Sequence, residues 1–182
     1  MAAVRDLLAE GAFHESTVEE VAGKAGVARA TLYQHFGSRL ALVDAICETF
    51  DENPALVALR QDVGLEDVDG ALDRTIAHAI RFWASEEAIL RQLYGAAAID
   101  PSAAALVERQ TADRRGELQR LLGRLRAAGR LRSELTDRHA LALLLVLTSF
   151  ETFEELRRRA GLRERDVVGT LQDAARATLR LP

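Results

Sequence analysis

A chain of 182 residues, 48% hydrophobic and 29% charged, has the composition of a globular protein long enough for one small and one larger domain. Its net charge of −4 at pH 7 argues against a general nucleic-acid coat protein or a membrane-surface binder. The single cysteine, Cys47, excludes an intramolecular disulfide and any multi-cysteine zinc site. Ala, Leu, Arg and Glu dominate, prolines number three, and β-branched runs are missing, so the fold class expected is all-α. No signal-peptide pattern and no apolar run of transmembrane length is visible, so a cytoplasmic location without a membrane partner is expected.

Ala2–Glu10 supplies a short first helix, followed by the turn Gly11-Ala12-Phe13. Thr17 stands three residues before Glu20, the capping-box spacing. Val18, Val21, Ala22 and Ala25 then form a narrow apolar face, and Gly26 ends the helix where a positive φ is wanted. Val27 reads as an apolar pin after the turn, and a second helix runs from Ala28 to His35. Two short helices joined by a Gly-containing turn make a helix-turn-helix, whose second helix enters the DNA major groove. Leu32 and Phe36 can pack inward. Arg29, Ala30, Thr31, Tyr33, Gln34 and His35 are left for the remaining surface. Arg reads guanine, Gln pairs with adenine, Ala touches the thymine methyl, and Thr, Tyr and His suit phosphate. Up to Ala45, however, Arg5, Lys24, Arg29 and Arg39 face Asp6, Glu10, Glu15, Glu19, Glu20 and Asp44. The segment therefore carries no net positive charge, and its non-specific DNA affinity should be weak.

From Ser38, which caps it, a helix runs to about Asp51 with Leu42, Val43, Ile46 and Phe50 at helical spacing; Asn53-Pro54 breaks it. Cys47 falls in this pattern and reads as a core residue. Gln61–Gly70, rich in Asp and Gly, reads as a loop. Gly70–Ser85 is amphipathic, with Leu72, Ile76, Ala79, Ile80 and Trp83 on one face and Arg74 and Arg81 opposite. Glu86–Ala98 and Ser102–Ala128 are further helices, the second closed by Gly129. Thr136 caps the next, with Asp137 in its first turn. Ala140–Leu147 is apolar without interruption, with Phe150 and Phe153 following, so it should be buried on all sides, by a core on one and a partner subunit on the other. Glu164–Leu181 carries a stripe of Val167, Val168, Leu171, Ala174, Ala175 and Thr178. These last two helices can pair with their copies across a two-fold axis, giving a homodimer that reads two half-sites.

The segment GVARATLYQHFGSRLAL, Gly26 to Leu42, resembles the signature of the TetR family of bacterial transcriptional regulators, and GAFHESTVEEVAGKA before it is similar to that family's lead-in. The resemblance implies an N-terminal three-helix helix-turn-helix domain, residues 1–45, and a C-terminal helical bundle, residues 46–182, that binds an effector and dimerises. It implies that a small molecule releases a double-stranded DNA operator, in most such proteins as a repressor. At matching positions it assigns DNA contacts to Thr17, Arg29, Ala30, Thr31, Tyr33, Gln34, His35 and Arg39. Arg29, Ala30 and Gln34 fall where bases are met; Thr31, Tyr33 and His35 fall where phosphate or sugar is held. Thr17 brings a helix N-terminus to phosphate, and Arg39 stands where the family has a phosphate-holding Lys. Leu40 departs from the family, which often has an acidic residue there. The segment before Gly11 is shorter than the family's first helix and lacks its basic arm.

For the effector, the side chains available are His78, Phe82, Trp83, Tyr94, Thr148 and Glu151, which suit a mostly apolar ligand. Glu151 reads slightly better as a surface or dimer-rim residue. No Gly-rich phosphate loop, nucleophile elbow or paired-His metal motif occurs, so neither enzyme, cofactor nor metal is expected. The alternative is a helical dimeric interaction module that has lost DNA binding, which the acidic N-terminal segment favours.

Overall fold

The structure, a computed structural model, describes residues 5–7, 18–37, 39–64, 67–68 and 70–179. Residues 5–7 are helical. The helices that follow are α1 Val18–Lys24, α2 Arg29–Phe36, α3 Arg39–Glu48, α4 Pro54–Gly64, α5 Ala71–Ser85 and α6 Glu87–Ala97. After them come α7 Pro101–Ala127, α8 Asp137–Leu147, α9 Phe150–Glu154 and α10 Glu164–Leu179. A 3-10 turn, Thr49–Glu52, follows α3, and a single π-helical turn, Glu155–Arg159, follows α9. There is no strand among the described residues. The chain divides into two compact units: Met1–Asp51 with Glu86–Gln110, and Glu52–Ser85 with Thr111–Pro182.

In the first unit the core is built on Val21 and Ala22 of α1, Leu42, Val43 and Ile46 of α3, and Phe50 after it. From the later segment it takes Ile89, Leu90 and Leu93 of α6 and Ala103 and Leu106 of α7. Polar links join the two segments. Arg5 donates to Glu86 at 2.7 Å and to the Thr49 hydroxyl at 2.5 Å, and its guanidinium stands 5.8 Å from the Phe50 ring centre. Arg109 pairs with Asp44. Cys47, half-buried on α3, is hydrogen-bonded to the Gln110 side chain; burial nevertheless pushes its thiol up to about 11. A thiol so placed stays protonated near neutral pH.

In the second unit α4 begins at Pro54, whose missing N–H suits the first turn, while the Asn53 side chain accepts from the Ala55 amide at 3.0 Å. Asn53-Pro54 thus ends one helix and starts another. The expected loop Gln61–Gly70 is corrected here: α4 carries Gln61–Gly64, and of the rest residues 65, 66 and 69 lie outside those described. On α5 the expected face is buried, joined by Thr75 and Phe82. Two links to Asp73 hold α5 to α10: Gln172 donates to its backbone carbonyl and Arg176 to its carboxylate, both at 2.9 Å. Arg60 of α4 pairs with buried Glu117 of α7 at 3.0 Å.

Helix α7 closes as expected. Gly129 takes φ +65°, its amide donates to Arg126 and the Arg130 amide to Leu125, the two bonds of a Schellman stop. Thr136 caps α8, accepting from the His139 amide at 3.3 Å. The apolar run Ala140–Leu147 ends with its helix at Thr148, and Ser149 caps α9 by accepting from the Thr152 amide. The Trp83 indole N–H and Arg114 donate to the Thr148 carbonyl at 3.0 and 2.6 Å, satisfying an oxygen the helix would otherwise need to pair within itself. Within one chain α8 is buried on one face only. Ala140, Leu144 and Leu147 are buried, but Ala142 is exposed and Val146 is 58% exposed. On α10 the buried line is Val167, Leu171, Ala175 and Leu179; Val168 and Ala174 are half-buried and Thr178 is exposed, because a straight i, i+4 row faces the core.

Candidate nucleic-acid interface and ligand site

The turn between α1 and α2 is set by its backbone. The Val27 amide donates to Ala22 at 3.0 Å and the Gly26 amide to Gly23 at 3.1 Å, with Gly26 at φ +67°. This is the same stop that closes α7. Val27 is not the buried pin expected from sequence; it is 42% exposed at the tip of this turn. Arg29, Ala30, Thr31, Gln34 and His35 of α2 are all exposed, and Phe36 is half-buried, with the His35 and Phe36 rings 6.4 Å apart. One helix thus presents a guanidinium, an amide, a hydroxyl, an imidazole and a methyl-bearing side chain to solvent. Those groups match base edges and phosphates. Tyr33 and Arg39 lie within α2 and α3, but their side chains, like those of Leu32 and Leu40, lie outside the described residues. Thr17, Ser38, the Thr17–Glu20 capping box and the Gly11-Ala12-Phe13 turn fall outside them as well. Of the expected first helix Ala2–Glu10, only 5–7 are described.

The expected effector residues are distributed between the units. His78, Phe82, Trp83, Thr148 and Glu151 belong to the second, Tyr94 to the first. Phe82 and Trp83 are buried with ring centres 4.8 Å apart, and Trp83 meets Phe150 edge-on at 5.9 Å. Phe150 and Phe153 extend the cluster at 6.0 Å. The Arg114 guanidinium stands 5.8 Å from the centre of the Trp83 ring. Thr148 is buried, but its hydroxyl is committed to the Leu144 carbonyl at 2.7 Å. His78 is half-buried on the flank of the same α5 face. Glu151 is exposed and lines a charged surface concavity of about 510 Å³ with Glu154, Glu155, Arg158 and Arg159. Sequence reasoning missed Thr75, fully buried on α5, and Arg114. Thr75 reads as a spacer in an apolar stripe, and Arg114 as one of many arginines on a charged helix. Among the described residues no group of His, Cys, Asp or Glu is gathered to hold a metal ion, and no helix is long and apolar enough to cross a membrane.

An exposed helix after a glycine-stopped turn, in a chain of helices that ends in a bundle, defines an all-α helix-turn-helix protein. Residues 1–46 match the sequence model of the family described as bacterial regulatory proteins, tetR family. The match is confined to this segment of the chain. The chain's fold over the whole length is that of solved regulators. It is similar to the TetR family transcriptional regulator PfmR from Thermus thermophilus, at 19% identity and TM-score 0.72 over 98% of this chain and 97% of that one. It is similar to the fatty acid degradation regulator FadR from Bacillus halodurans, at 19% identity and TM-score 0.74 over 94% and 88%. The ketosteroid transcriptional regulator KstR2 of Mycobacterium tuberculosis is similar at 16% identity and TM-score 0.65 over 100% and 93%. No curated protein matches the chain.

Proposed function

We propose that this protein is a ligand-responsive transcriptional repressor. It binds a palindromic operator as a homodimer joined through α8 and α10, and it is released by a small, mostly apolar effector. The observation that carries the reading is the exposed row Arg29, Ala30, Thr31, Gln34 and His35 on α2. Arg29, Ala30 and Gln34 meet bases; Thr31, Tyr33 and His35 hold phosphate or sugar; Arg39 and the helix end capped by Thr17 hold further phosphates. The apolar face that α8 leaves exposed, with Val146 at its centre, favours a second copy as its cover. Buried Phe82 and Trp83 with flanking His78 favour an effector that is mostly apolar, and two neighbours in fold are named for fatty acids and ketosteroids.

Selection of bound duplex from a random DNA pool at low salt tests the reading. Enrichment of one palindrome supports it. No enrichment, with a dimer still formed, moves the assignment to an interaction module.

A further inference from the structure

We infer that the Thr75 hydroxyl is the polar anchor of the effector site, and that the effector is a neutral molecule with an apolar body and one hydrogen-bond-accepting oxygen. The inference rests on the ligand-responsive reading above. Thr75 is 0% exposed, yet its Oγ1 has no hydrogen-bond partner among the described residues. A buried hydroxyl without a partner is rare, because desolvation is then uncompensated. A helical threonine has an easy remedy, which is to donate to the carbonyl four residues earlier. Thr148, Thr170 and Thr178 do so, to Leu144 at 2.7 Å, Asp166 at 2.8 Å and Ala174 at 2.7 Å. Thr75 does not use the Ala71 carbonyl, so its hydroxyl proton is not taken up by its own helix.

Its surroundings on α5 state what it awaits. Thr75, His78 and Phe82 follow one another at three and four residues, a single line down the helix. Ala71 and Ala79, one turn to either side of Thr75, are buried and contribute only a methyl group each, so the hydroxyl has small neighbours along its line. The charged residues of α5 are engaged elsewhere or exposed: Asp73 accepts from Arg176 of α10 through Oδ2, Arg74 pairs with Asp67, and Arg81 is exposed. A donor hydroxyl among Ala, Ala, His and Phe, with no arginine or lysine on its line, suits a ketone, ester or alcohol oxygen. A carboxylate there would be a buried charge without an arginine or lysine to meet it.

The test is titration calorimetry on the full chain with three neutral probes, 2-undecanone, methyl decanoate and 1-undecanol, and with decanoate as the charged counterpart. At least one neutral probe should bind, more tightly than decanoate. Thr75→Val, which keeps shape and removes the hydroxyl, should weaken that binding about tenfold, while Thr75→Ser should retain it. Ligand-free Thr75→Val should melt no lower than wild type, since the hydroxyl it loses has no partner. The inference is overturned if no neutral probe binds, if decanoate binds best, or if Thr75→Val binds as wild type does. It is overturned too if ligand-free Thr75→Val is clearly destabilised, which would mean that the hydroxyl has a structural partner. Operator selection on the same wild-type sample separates the two readings. An enriched palindrome without binding of any neutral probe defeats only this one, and neutral-probe binding without enrichment defeats only the regulator.

Discussion

Val146→Glu is the substitution that weighs the dimer most directly. Full burial of a valine side chain is worth about 1.5 kcal/mol. With 58% of Val146 still accessible in one chain, a two-fold partner recovers about 1 kcal/mol per protomer, or about 2 per dimer. Glutamate forfeits that gain and leaves two carboxylates without partners in an apolar seam, at about 3 kcal/mol each. The total is about 8 kcal/mol, or five to six orders of magnitude in the dimer constant. Within one protomer the cost is small, about 0.5 kcal/mol or less, because the side chain already faces outward. Sedimentation across a dilution series should therefore give a folded species of one-chain mass, with helical circular dichroism intact. Leu144→Glu is the contrast: Leu144 is fully buried within the protomer, so this variant should lose its fold altogether. If Val146→Glu kept wild-type mass at every concentration, the outer face of α8 would be solvent-facing and the dimer would lie elsewhere.

Arg29→Ala should weaken operator binding by about 1–3 kcal/mol and relax the preference at one base pair per half-site, read by competition between operator variants. Arg39→Ala should weaken binding to all sequences and flatten the salt dependence by about one unit per monomer; a changed base preference would contradict a phosphate role. Gly26→Ala should lower stability by about 1 kcal/mol in chemical denaturation. A Cβ there meets nothing within 4 Å, so the whole cost is the φ of +67°, and an unchanged midpoint would refute that account. Cys47 holds its proton more tightly folded than unfolded. Its contribution to stability is full below about pH 9 and is lost as pH rises through about 11. Cys47→Ala should flatten that stretch of the stability profile, and a profile matching wild type would show the thiol to be without influence there.

What could be read in advance follows from how local each cause is. The turn at Gly26 and the stop at Gly129 are set by one residue's freedom at φ and by bonds spanning five positions, so they stand in the sequence. The faces of α5 and α10 are periodic and equally visible, although α10 resolves into Leu179 rather than Thr178 only when a core is present to choose. Helix α4 is hidden because Asn53-Pro54 has the same appearance whether it ends a helix or begins one. The break at Thr148 is set from a distance: its carbonyl is served by Trp83 and Arg114, and no pattern in residues 140–153 announces them. The companions of the helix-turn-helix in its packing unit come from Glu86–Gln110, through Arg5–Glu86 and Arg109–Asp44, pairings between distant positions. For the candidate ligand site, aromatic size points to Phe82 and Trp83, whereas Thr75 gains significance only once its hydroxyl is seen to lack a partner.

Trp83 is the only tryptophan in the chain. Its indole N–H is tied to the Thr148 carbonyl, a cation lies over its ring, and Phe82 adjoins it. The protein therefore contains one indole fluorophore, shielded from water and wired to the junction of α8 and α9. Its emission should be blue-shifted in the native state. Any event that loosens the Thr148 acceptor or draws Arg114 from the ring should change its intensity without a label, so a compound library can be screened on the unmodified protein by light alone.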